Sequence, residues 1–297
     1  MAGMNRRFEI HSLTISGIVD GSDYRNVILD SRAQIKLLEE AIWKHGGKSH
    51  ALEEYELTKD KSPSLRLKFI SFKTGRRPDV LDTSKFVIQP NPLRRNQTGV
   101  DYTHAILVQA GDKWLMVIEK NGDGIFPGSI GLYLNWMLDR TVAPKISEDE
   151  EIVVSVEPEP GQAFIQRING LDRITEATLR LVKPNPGWED LESELGSEAN
   201  TSRARRAEIT MAAKPRQSLT KTTGIVGRIR ALFNQRLLGY AAIVGKRDDG
   251  TEDRFNTKQL IRKENREVQL DENGQIVSED AYNAMDEIIK PDSDQRQ

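Results

Sequence analysis

The stretch from His104 to Lys120, HAILVQAGDKWLMVIEK, constrains the fold of this chain more than any other. Two β-rich runs, HAILVQA and KWLMVIEK, flank Gly111-Asp112, the two-residue connection of a tight hairpin. A strand with one wet face alternates apolar and polar residues; these runs are apolar almost throughout, so both faces need cover. The hairpin therefore sits at the centre of a sheet with packed helices around it. With 297 residues and 37% apolar content, the chain can build one large core or two ordinary ones.

Around the hairpin the sequence predicts further elements. RRFEIHSLTISGIV (6–19) alternates as a strand, and Ser31 opens a helix whose stripe Ile35, Leu38, Ile42 ends at Gly46-Gly47. A second strand runs through LRLKFISF (65–72) and closes at TGRRP, and QPNPLRRNQTG (89–99) is a long surface loop. After the turn NGDGIFPG, the spacing of Ile130, Leu134 and Leu138 predicts a short helix. IVVSV, AFIQRI and ATLRLV read as strands, Trp188–Leu195 as a helix, ARRAEITMAA as helix or strand, and 218–238 as a helix ending at Gly239. YAAIVG, the turn Asp248-Asp249-Gly250 and the run through Phe255 form a late hairpin; VQL is a further strand, and a last helix spans about 279–289. The expected class is α+β, with mixed or antiparallel sheets and packed helices in two domains. Residues 1–150 form the first around the 103–120 hairpin, 151–270 the second with a basic surface, and 271–297 an acidic helical tail.

Charge is segregated along the chain. Between Arg203 and Arg247 stand Lys or Arg at 203, 205, 206, 214, 216, 221, 228, 230, 236, 246 and 247, against the single acid Glu208, while the whole chain is formally only −2. The balancing acid gathers at 148–159, 189–198 and 271–294. A concentrated basic surface raises the local concentration of polyanions and steers their approach. On the 218–238 helix the apolar residues Ile225, Val226, Ile229, Leu232, Phe233 and Leu237 share one stripe, with Lys221 and Arg228 on one margin and Arg230 on the other. A solvated amphipathic helix has the same look, its arginines covering apolar surface with their stems. The density of flanking cations favours phosphate contact. The expected DNA-binding residues are Arg203, Arg205, Arg206, Lys214, Arg216, Lys221, Arg228 and Arg230, with Arg76, Arg77, Arg94 and Arg95 as secondary candidates on loops.

Other chemistries lack their residues. Zero cysteines exclude disulfides, thiolate metal sites and a Cys nucleophile, and fit a reducing compartment. His11, His45, His50 and His104 show no metal-ligand spacing; His104 reads as a sheet residue rather than a base, and His45 as a cation at a helix end. No phosphate-loop lysine motif and no Gly-x-Ser-x-Gly elbow occurs. No cofactor, metal or catalytic residue is expected. No apolar window approaches the roughly 18 residues of a spanning helix, so a cytoplasmic location is expected. Zinc-finger, zipper and ribonucleoprotein motifs are missing too, which leaves no visible instrument for reading bases.

The order of elements resembles the phage lambda RexA-like exclusion family and related bacterial phage-defence proteins. The residues that carry the resemblance are RRFEIHSLTI, LRLKFISFKTGRR, HAILVQAGDKWLMVIEK with GLYLNWML, ATLRLVKPNPGW, and AAIVGKRDDGTEDRF before a polar helical C-terminus. The resemblance implies a homodimer that binds double-stranded DNA with little sequence preference and excludes infecting phage, in the lambda system beside a membrane partner protein. This chain departs from the family in the insertion GSEANTSRARRAEITMAAKPRQSLTKTTGIVGRIRALFNQ, which carries the basic cluster itself. The sequence thus leads to a non-catalytic, sequence-tolerant DNA-binding protein. A metal-dependent nuclease holding Mg²⁺ on scattered carboxylates is the second reading, and a protein-interaction module whose acidic tail pairs with the basic stretch is the third.

Overall fold

The structure, a computed structural model, describes residues 3–18, 21–60, 62–73, 79–94, 97–111, 113–142, 151–182 and 206–293. The class is α+β: antiparallel sheets packed with helices. The central hairpin is β7 (Val100–Ala110) and β8 (Lys113–Glu119), paired through Ala105 with Ile118, Ile106 with Val117 and Val108 with Leu115; Gly111, with φ 71, turns the chain between them. Residues 105–108 and 114–118 are apolar throughout because both faces are covered. Ala105, Leu107, Met116 and Ile118 belong to one core and Ile106, Val108, Leu115 and Val117 to another on the opposite side.

Five further strands line up with that hairpin in the order β14-β1-β8-β7-β4-β3-β2: β1 is Gly3–Ser16, β2 Trp43–His45, β3 Lys48–Leu57, β4 Leu65–Phe72 and β14 Lys263–Gln269. The outer edge of β1 is shared. Residues 3–9 pair with β14 and residues 11–16 with β9 (Val153–Pro158), so two segments distant in sequence meet end to end at Ile10. One face is covered by α1 (Tyr24–Gln34) and α2 (Pro127–Thr141), with Ile28, Ile130, Tyr133, Leu134, Met137 and Leu138 buried against the sheet. The buried Tyr133 hydroxyl accepts from the Leu52 N–H at 2.9 Å and donates to the Ala41 carbonyl at 3.2 Å, tying α2 to β3 and to a 3-10 turn at Leu38–Ala41. The opposite face is covered by the C-terminal helix α5 (Ser278–Ser293), through Ala281, Tyr282, Ala284, Met285, Ile288 and Ile289.

A second, four-stranded sheet has the order β11-β10-β12-β13: β10 is Arg173–Val182, β11 Arg206–Ala212, β12 Tyr240–Lys246 and β13 Glu252–Asn256. Two helices, α3 (Gln162–Asn169) and α4 (Gly224–Asn234), pack on one of its faces. A small hairpin, β5 (Val80–Asp82) with β6 (Val87–Gln89), stands apart and leaves Phe86 and Ile88 exposed.

Several expectations are corrected here. The helix placed after Ser31 is instead Tyr24–Gln34, started by the Asp23 carboxylate, which accepts the Arg25 N–H; Ser31 lies buried inside it, and Ile35, Leu38 and Ile42, the expected stripe, lie beyond its end. Gly46 and Gly47 do not stop a helix. Their φ values of 58 and 77 make the two-residue turn between β2 and β3, so His45 is a strand residue. AFIQRI is helical, since Phe164 and Ile168, four apart, are the buried pair. The helix expected over 218–238 spans only 224–234; before it, the Ser218 hydroxyl accepts the Ile174 N–H and the Leu219 N–H bonds the Ile174 carbonyl, which holds this segment extended. ARRAEITMAA is a strand from Arg206 onward, and the helix expected at Trp188–Leu195 lies outside the described residues. Residues 153–158 and 263–269, assigned by sequence to the second domain, are strands of the first sheet, and the acidic tail is a packed helix on it. No helix among the described residues is long and apolar enough to cross a membrane.

Candidate nucleic-acid interface

Strand parity decides what the four-stranded sheet shows to water. Ile174, Ala177 and Leu179 of β10, Ala241 and Ile243 of β12 and Phe255 of β13 point to the helices, where they meet Phe164, Ile168, Ile225, Val226, Ile229 and Leu232. Their strand neighbours occupy the other face. By register, Arg180 stands between Glu208 and Tyr240, Thr178 between Thr210 and Ala242, and Glu176 between Ala212 and Val244, with Arg254 beyond Val244. Arg173, Lys246 and Glu252 form the next row. The Thr178 and Thr210 hydroxyls lie 2.9 Å apart and are solvent-exposed.

The charges on this face are of two kinds. Arg180 is engaged: its Nε donates to Glu208 Oε2 at 2.7 Å, and its guanidinium lies 4.2 Å from the centre of the Tyr240 ring. The Lys258 ammonium is 5.8 Å from the same ring, so Tyr240 is covered by cations rather than open to a stacking base. Lys246 and Arg254 have no ion pair with a described residue; Arg254 is exposed and Lys246 partly so. Lys214 and Arg216, exposed in the loop that leaves β11, are likewise without one, and Arg216 takes φ 65 there. Arg247 is held by Asp253. That nearly buried carboxylate accepts Arg167 at 2.5 Å and Arg247 at 2.9 Å, and the Arg167 bond, more than that of Arg247, draws its pKa down to about 2.

The expected site residues are not brought together as one cluster. Lys214 and Arg216 are available, and Arg228 is half-buried on α4. Lys221 donates to the Asn169 carbonyl at 3.2 Å and to that of Leu171, and Arg230 donates to the Asn169 side-chain oxygen. Both serve the C-terminal end of α3, where carbonyls lack intrahelical donors and cations are favoured. Arg206 begins β11, opposite Val182. Arg94 is exposed, its N–H bonded to Gln97 Oε1 at 2.8 Å. Arg76, Arg77, Arg95, Arg203 and Arg205 lie outside the described residues. Sequence reasoning missed Arg173, Arg180, Tyr240, Lys246, Arg254 and Lys258 as members of one surface. The available signal was alternation within TLRLV and YAAIVGK, which puts a cation on the polar face of each strand.

The capping roles make a prediction. Lys221→Ala and Arg230→Ala should each cost about 1–2 kcal/mol of stability, the worth of a charge-assisted bond at a helix end. Neither should change the salt dependence of DNA binding. Thermal melts and binding titrations of the two variants check both halves.

Among the described residues, no three His, Asp or Glu side chains group as a metal-ligand set. A family model described as a domain of unknown function, DUF4747, matches residues 112–286, from the second strand of the central hairpin into the C-terminal helix and over more than half of the chain. No curated protein matches the chain.

Proposed function

The chain belongs to the DUF4747 family, and for this member we propose sequence-tolerant binding of double-stranded DNA through the open face of the four-stranded sheet. The observation that carries the reading is the set of cations without an ion-pair partner among the described residues, Lys246 and Arg254 on that face and Lys214 and Arg216 at its rim, backed on the far side by α3 and α4. Three strand-to-strand steps of about 4.8 Å make the face some 14 Å wide, close to the roughly 12 Å of a B-DNA major groove and thus able to meet phosphates of both strands. Thr178 and Thr210 add hydroxyl donors between the cations. Contact through these cations and hydroxyls falls on the phosphate backbone, so every duplex is held alike. The unpaired cations favour a phosphate partner over the protein-interaction reading, since two of the acids assigned to the tail, Glu279 and Asp286, already hold Arg66 of the first sheet.

Incubation of supercoiled plasmid with the protein and Mg²⁺ tests the reading. Retardation without nicking is expected; nicking would replace it with the nuclease, and unretarded plasmid at low salt would end it. Homodimerisation and phage exclusion belong to the same proposal and rest on the RexA-like layout. Light scattering of the free protein and plaque counts on cells carrying the face variants described below test them.

A further inference from the structure

Three polar side chains far apart in sequence meet on the α5 face of the main sheet. His104 of β7 and Glu119 of β8, each 1% exposed, are cross-strand neighbours, and His104 Nδ1 lies 2.8 Å from Glu119 Oε2. On the other side of the imidazole, Nε2 lies 3.0 Å from Ser278 Oγ, at the first residue of α5. A carboxylate can only accept, so Nδ1 carries the proton and Nε2 presents its lone pair to the serine hydroxyl. The imidazole cannot swing away. Tyr282 packs edge-on at 5.4 Å, and Glu119 Oε2 also accepts the His104 backbone N–H at 3.3 Å. Arg6 Nε lies 3.7 Å from the other carboxylate oxygen.

The surroundings of Ser278 complete the arrangement. The intrahelical ladder of α5 begins with the Ala281 N–H bonding the Val277 carbonyl, so the N–H groups of Glu279 and Asp280 precede the first intrahelical donor. Ser278 itself is partly exposed. One turn further along α5, Tyr282 lines an open groove of about 450 Å³ together with Arg66, Tyr55, Glu53, Glu54 and Glu56, and Arg66 bonds Glu279 next to the serine.

We infer that Ser278, His104 and Glu119 form a nucleophile, general base and orienting carboxylate that hydrolyse carboxylic esters reaching the partly exposed Ser278 from solvent. Ser278 Oγ attacks the ester carbonyl carbon as its proton passes to His104 Nε2, and the carbonyl oxygen takes the negative charge toward the Glu279 and Asp280 N–H groups. The carbon–oxygen bond to the alcohol breaks, His104 returns the proton to the departing alkoxide, and an acyl-serine remains. Water, giving a proton to His104, then attacks the acyl carbon; the bond to Ser278 Oγ breaks, His104 returns the proton to that oxygen, and the acid and free Ser278 are released. The site is separate from the DNA-binding face and stands without it.

The test uses the full-length protein, an alkyl fluorophosphonate and p-nitrophenyl butyrate. A single phosphonyl adduct mapped to Ser278 is expected. Ester hydrolysis should fall at least about a hundredfold in Ser278→Ala and in Glu119→Gln, which replaces the carboxylate charge that stabilises the imidazolium and can turn an amide N–H toward Nδ1. Ser278→Ala leaves the buried His104 Nε2 without its hydroxyl partner and should lower the melting temperature by only a few degrees, so complete loss of activity in the folded variant is not loss of fold. An unlabelled Ser278, an adduct on another residue alone, or hydrolysis unchanged in folded Ser278→Ala overturns the inference.

Discussion

A chain ending at Leu270 is expected not to hold its native fold. The segment removed looks in sequence like a solvated acidic arm, formally −6 over residues 271–297. In the fold it supplies α5, whose Tyr282, Met285, Ile288 and Ile289 are at most 7% exposed against Phe8, Ile10, Ile106, Val108, Leu115 and Val117. Burying each large apolar side chain contributes about 1.5–3 kcal/mol, so the four together contribute roughly 6–12 kcal/mol before the uncovered sheet is considered. That is the whole net stability of an ordinary domain. The helix also holds Arg66 through Glu279 and Asp286, at 3.0 and 3.3 Å, and Arg66 lies over the Tyr282 ring. Truncation uncovers the second face of the central hairpin. Circular dichroism melts and limited proteolysis of the truncated chain should show early unfolding or aggregation. A melt matching that of the full chain would contradict the role given to α5.

Acid should weaken the fold in two stages. His50 is buried with Nδ1 2.8 Å from Ser71 Oγ. Burial first, and then the charges of Lys48 and His45, push its pKa from 6.5 down to about 4. As pH falls below 6.5, the unfolded chain takes up this proton while the folded chain does not, so stability drops across the window from 6.5 to about 4. The drop is on the order of 3 kcal/mol. Carboxylates act in the next window. Asp253, held by Arg167 and then Arg247, and Glu9, held by His11 and Lys120, both have pKa values lowered to about 2. Their contribution is complete above the ordinary carboxylate range and is lost as pH falls from about 4 toward 2. Urea unfolding at about pH 7, 5.5 and 4 measures the first stage. His50→Gln should flatten that limb and leave the lower one; an equal slope in both proteins would remove His50 from the account.

The central hairpin was legible because its apolarity is continuous, and continuous apolarity has one common cause, cover on both faces. The late hairpin was legible through Asp248-Asp249-Gly250, a turn with Gly250 at φ 79. What failed was what needs long-range pairing. β1 joins β14 with Gly3 opposite Gln269, and nothing local to 263–269 announces that partner. Short windows failed as well: AFIQRI is too brief for its period to separate helix from strand, and Gly46-Gly47 serves a helix stop and a hairpin turn equally well. At the candidate interface, linear charge density counted Lys221 and Arg230 as phosphate ligands although backbone and side-chain oxygens of α3 take them. It passed over Arg254 because its cationic neighbours come from other strands. His104 was rightly read as a sheet residue, yet its partner Ser278 stands 174 residues away, beyond any motif.

Titration of two unrelated duplexes at several salt concentrations, with wild type and with Lys246→Ala/Arg254→Ala, tests the central claim most directly. If the open sheet face carries the contact, log affinity falls linearly with log salt at about −0.9 per phosphate engaged. The double variant should then flatten the slope by about two units and weaken both duplexes alike. Identical slopes for the two proteins, or no binding at low salt, would contradict it.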